Sequence, residues 1–66
     1  MPEESINKYY QGILSLIRQK RLHEAFDLVK MGLVESRSWD LQSSFDMIST
    51  AYNLMTQYML QGVHDP

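Results

Sequence analysis

The chain has 66 residues, 44% of them hydrophobic and 21% charged, with a formal net charge of −2. That length admits one domain, near the lower limit for a core that stands without staples, and the absence of cysteine removes disulfides and thiolate metal sites from the possible staples. The acidic balance argues against a dedicated nucleic-acid or anionic-membrane surface, and a cysteine-free composition fits a reducing, cytoplasmic location.

Met1-Pro2-Glu3-Glu4 is acidic where the basic start of a signal peptide would stand, and no apolar run approaches the ~20 residues of a bilayer span. With few Gly and Pro and almost no clustering of β-branched residues, the composition is all-helical. The first predicted helix covers residues 6–20. Ser5 is its expected N-cap, with Pro2, Glu3 and Glu4 ahead of it, where negative charge suits a helix start. Ile6, Tyr9, Tyr10, Ile13, Leu16 and Ile17 form its apolar face, and Arg18, Lys20 and Arg21 place positive charge at its end.

The second helix is predicted over residues 22–35, with Leu22, Ala25, Phe26, Val29 and Leu33 facing inward. No Gly or Pro separates it from the first, so one long helix has to be weighed against a hairpin. At about 100° per residue the two apolar faces would point in roughly opposite directions on one continuous helix. One face would then stay in water, at about 1.5–3 kcal/mol per large side chain. A turn near Gln19–Arg21 lets the faces meet, and the hairpin is the expected arrangement.

Glu35-Ser36-Arg37-Ser38 reads as the second turn, with Ser38 capping a third helix over residues 39–62 and Asp40 in its first turn. Gly62 is its expected C-terminal signal, and Asp65-Pro66 lies beyond. Two apolar rows run along this helix. Leu41, Phe45, Ile48, Tyr52, Met55 and Met59 recur at alternating steps of four and three, and Met47, Ala51, Leu54 and Tyr58 follow beside them. Together they cover about half the circumference, wider than a surface helix usually shows. Their spacing does not fix the direction each faces. The first row is expected to pack on the hairpin, and the second to be a seam to a partner. Trp39 lies off both rows and is placed to clamp the turn against the second helix. The remaining side, with Gln42, Asp46, Ser49, Thr50, Asn53 and Gln57, is polar but carries a charge only at Asp46, which makes contact with a partner less costly. The expected architecture is thus an all-α, three-helix antiparallel bundle, a single helical domain over residues 1–66 that is a fragment of a longer chain.

The segment Arg21-Leu22-His23-Glu24-Ala25-Phe26, followed by Gly32-Leu33, resembles the second helix of a tetratricopeptide repeat, with Ala25 as the small packing residue and Val29 as the large one four positions on. In the preceding helix Tyr9, Gly12, Ile13 and Leu16 fall at the motif's spacing, and Arg37 stands near the place of its closing proline. The whole pattern looks like the N-terminal helical module of larger bacterial repeat proteins. The resemblance implies repeat-like packing by Tyr9, Leu16, Ala25 and Val29, and a scaffolding role in which each helical pair buries its open face on the next.

Chemistry-bearing residues are sparse. His23 and His64 are far apart in sequence and lack the convergent ligands a metal needs. Glu24 and Asp27 lie on a solvated helix face, and Ser36, Ser38, Ser43, Ser44 and Ser49 have no His placed to activate them. No Gly-rich phosphate loop occurs, and the basic cluster at Arg18, Lys20 and Arg21 is accounted for by charge matching at a helix end. No catalytic, cofactor-binding or metal-binding residue is expected, and neither nucleic acid nor membrane is an expected partner. Two functions remain. One is a non-catalytic interaction module that binds a protein or a later part of its own chain through Met47, Ala51, Leu54 and Tyr58. The other is a structural unit that homodimerises through the third helix.

Overall fold

The computed structural model describes the backbone of residues 2–64 and the side chains of residues 2–60. It consists of α1 (Pro2–Arg18), α2 (Leu22–Ser36) and α3 (Leu41–His64), with every pair of helices in contact. The fold is the expected all-α three-helix bundle.

α1 starts earlier than its capping signals suggested. Pro2 occupies the first helical turn, where its missing N–H has no intrahelical partner to lose, and Ser5 lies inside the helix instead of capping it. Glu3 and Glu4 fall in the first turn and Arg18 in the last, matching the helix dipole at both ends.

The reversal between α1 and α2 is made without glycine. The Arg21 N–H donates to the Leu16 carbonyl at 2.9 Å and the Lys20 N–H to the Ile17 carbonyl at 2.9 Å, the paired bonds of a Schellman ending. That ending requires a left-handed residue, and Lys20 supplies it with φ of 60°. The Arg21 side chain then turns back, donating to Gln19 Oε1 at 3.1 Å and pairing with Glu24. Arg21 and Glu24 are both about half exposed, so this pair fixes local geometry more than it stabilises the fold.

Small residues decide which way α2 faces. Ala25, Gly32 and Ser36 are buried, and Leu28, Val29 and Leu33 pack partly beside them. A Cβ added at Gly32 would stand 2.7 Å from Met47 Cε and 3.3 Å from the Tyr9 ring, while one at Gly12 would stand 2.8 Å from Leu28 Cδ2. The helices approach through these gaps, and close packing rewards the face that offers them. Phe26, expected inside, is therefore turned outward and is 48% exposed.

α2 ends one residue later than expected. Ser36 is buried within it, and its hydroxyl donates to the Leu33 carbonyl at 2.8 Å. Ser38 is not the cap of α3; its hydroxyl donates to the Glu35 carbonyl at 2.9 Å and so helps to finish α2. Asp40 is the cap instead, with Oδ2 accepting from the Ser43 N–H at 3.1 Å. Hydrogen bonds from the Ser43 hydroxyl, and then from its N–H, favour the charged form and hold the Asp40 carboxyl below its ordinary pKa. Half-buried Trp39, just before the cap, packs against the core cluster. α3 passes through Gly62 and reaches His64, so Gly62 does not end it. Asp65-Pro66 lies outside the described residues.

Candidate interaction surface

The core joins all three helices. Ile13 and Ile17 of α1, Ala25 of α2, and Met47, Ala51 and Leu54 of α3 are buried together, with Tyr58 partly buried at the edge. The two rows of α3 thus face opposite to the expected allocation. Met47, Ala51 and Leu54, expected as a seam to a partner, are at most 5% exposed and belong to this chain's own interior. Leu41, Phe45, Ile48, Tyr52 and Met59, expected as core, are 73%, 55%, 47%, 70% and 67% exposed.

The reason lies in the shape of the hairpin. Gly32 leaves a hole beside Tyr9, and the unbranched Met47 side chain reaches into it until Met47 Cε meets the glycine. One turn on, Ala51 gives α3 a small contact point. The other row has Phe45, Ile48 and Tyr52 at the corresponding heights, bulkier or stiffer side chains for so close an approach. Both rows are apolar, and fit favours the smaller one.

The result is a continuous apolar stripe on the outer side of α3. Met55 is half-buried between the stripe and the core, and Leu60, 56% exposed, widens its far end. Gln42, Ser49 and Asn53 border the stripe as exposed polar residues, and Gln42 donates to Asp46 Oδ1 at 3.1 Å. From Leu41 to Leu60 Asp46 is the single charged residue.

The residues expected to pack as in a repeat all belong to the core or its margin. Ala25 is fully buried, while Tyr9, Leu16 and Val29 are partly buried against the same cluster. The Tyr9 ring covers Gly32, and its hydroxyl donates to Glu35 Oε1 at 3.3 Å. Burial raises the Tyr9 phenol above its ordinary pKa, and the Glu35 charge and hydrogen bond add to that. Beside this pair Lys30, Met31 and Val34 complete a shallow apolar depression of about 430 Å³. Sequence reasoning missed it because Met31 and Val34 lie off the expected α2 face.

The residues weighed for catalysis are dispersed. His23 and Asp27 are exposed, and Glu24 is engaged by Arg21. Among the described residues no three His, Asp or Glu side chains converge, and no helix is long and apolar enough to cross a membrane. The side chain of His64 lies outside the described residues. Comparison with family models, curated proteins and solved structures finds no match.

Proposed function

We propose that this chain is a non-catalytic protein–protein interaction or scaffold module, a tetratricopeptide-like helical unit of the kind that opens larger repeat proteins, acting in the cytoplasm through the outer face of α3. One observation carries the reading. Five large apolar side chains of one helix, Leu41, Phe45, Ile48, Tyr52 and Met59, stand 47–73% exposed in a continuous line. Exposed hydrophobic residues scattered singly are ordinary, whereas a contiguous stripe rimmed by polar groups marks a contact surface. The low charge of the helix supports the same reading, since few ionic groups have to be desolvated when a partner covers it.

The Phe45→Glu/Tyr52→Glu double variant tests this. In dilute solution the native protein should bind a hydrophobic dye, and the variant should lose that signal while keeping its helical circular dichroism. Loss of helix in the variant would mean that the row is core. A native protein that neither binds the dye nor associates with anything would remove the interaction reading.

A further inference from the structure

We propose that the α3 stripe is covered by a second copy of this chain, packed as an antiparallel α3–α3 pair about a twofold axis. The proposal rests on the reading of the stripe as a contact face and names the partner.

The spacing of the stripe is the first argument. Leu41, Phe45, Ile48, Tyr52, Met55 and Met59 advance by four, three, four, three and four residues. Each four-and-three pair makes a seven-residue repeat, the heptad spacing that keeps a seam facing a second helix. The series reads the same in both directions. Two antiparallel copies can therefore be set with Leu41 opposite the partner's Met59, Phe45 opposite the partner's Met55, and Ile48 opposite the partner's Tyr52. Each large side chain then meets another, and the contact is self-complementary, as a twofold interface requires.

The area is sufficient. At roughly 200 Å² per large side chain, the exposed fractions of Leu41, Phe45, Ile48, Tyr52, Met59 and Leu60 amount to about 700 Å² per copy. A standard interface uses about 800 Å² per partner. The hairpin does not obstruct it, because the buried row of α3 lies one residue, or about 100°, around the helix from the stripe.

Charge favours a like partner. Gln42, Ser49, Asn53 and Thr56 flank the stripe and are uncharged, so two copies meet without repulsion along the seam. The single charge, Asp46, stands about 12 Å along the axis from its counterpart in this register, beyond the ~8 Å screening length of physiological salt. The stripe offers no charged pattern that would select a different protein, and antiparallel helices set their dipoles in opposition.

Sedimentation equilibrium of the native protein at micromolar concentration should give twice the 7.8 kDa chain mass. Ile48→Glu should weaken the association by more than about 100-fold, because it would bury an unpaired charge. The chain contains no cysteine, so an introduced thiol reports its own neighbours only. An Ile48→Cys variant mixed with a Tyr52→Cys variant should form a disulfide-linked heterodimer on mild oxidation, and neither variant alone should cross-link efficiently. These substitutions lie on the surface and leave the core untouched, so the cross-link remains decisive if the glutamate variant fails to fold. A native protein that is monomeric yet still binds the hydrophobic dye would overturn the second copy while the contact-face reading stands. Cross-linking within each single variant would overturn the antiparallel arrangement.

Discussion

The two rows of α3 are both apolar and are opposites in burial, and it is the bulkier row that is exposed. Met47, Ala51 and Leu54 close the core, while Leu41, Phe45, Ile48, Tyr52 and Met59 face out. The difference teaches that a small chain with more apolar surface than it can bury allocates it by shape. Gly32 on α2 leaves a space that the thin, flexible Met47 side chain fills, an approach that favours such a side chain over a ring or a β-branched chain. The surplus row, excluded from this interior, is left available for another surface.

The most direct way to break that comparison is to truncate neighbouring residues from opposite rows. Met47→Ala should cost about 2–5 kcal/mol, since it removes a fully buried side chain and leaves a hole beside Gly32. A domain of this length has only a few kcal/mol to lose, so the variant should be largely unfolded at moderate urea. Ile48→Ala, one residue away, should cost less than about 1 kcal/mol when both are measured by urea denaturation of the dilute monomer. Equal losses would show that the rows are not distinguished by burial.

Much of this was legible in the sequence, and the errors of facing share one cause. The hairpin followed from the phase of the apolar faces between Ile6 and Leu33, because phase is a property of spacing alone. The two rows of α3 followed for the same reason. The direction of the rows and the exposure of Phe26 depend on where the hairpin is hollow. A signal for that was present: Ala25, Gly32 and Ser36 recur at steps of seven and four, a small-residue line that marks the close-packed side of α2. Reading large apolar residues as the core missed it. The end signals failed for a simpler reason. Ser5, Ser38 and Gly62 have the right chemistry, but Pro2 and Asp40 offered competing starts, and a glycine can remain within a helix at a cost of about 1 kcal/mol.

A smaller effect sharpens the comparison from the side of the hairpin that makes the gap. Lys20 holds the left-handed position of the Schellman turn with φ of 60°, a conformation that its Cβ disfavours. Lys20→Gly should stabilise the protein by about 0.5–1 kcal/mol, the strain relieved exceeding the added freedom of the unfolded chain. The midpoint of urea unfolding should rise with no change in slope. The strain is local to the turn, so the gain should add to the losses of Met47→Ala and Ile48→Ala alike.

The smallest effect concerns where α3 begins. The Asp40 carboxylate accepts the Ser43 N–H, and hydrogen bonds from the Ser43 side chain and then its backbone lower its pKa. A carboxyl lowered in the folded state adds stability that is present above its unfolded pKa and is lost as pH falls through the folded value. Stability of the native protein should therefore decline on acidification below the ordinary carboxylate range. Asp40→Asn keeps an acceptor at the cap but cannot titrate there, so its decline should be shallower. The cap serves only the first turn, which holds Leu41 and none of the buried row. Corrected for the intrinsic rate, which itself falls with pH, amide protection should accordingly drop at Ser43 and Ser44 on acidification and hold at Met47 and Ala51. If protection at Met47 and Ala51 falls together with the first turn, the core row depends on the cap, and the separation between the two rows of α3 is weaker than their burial implies.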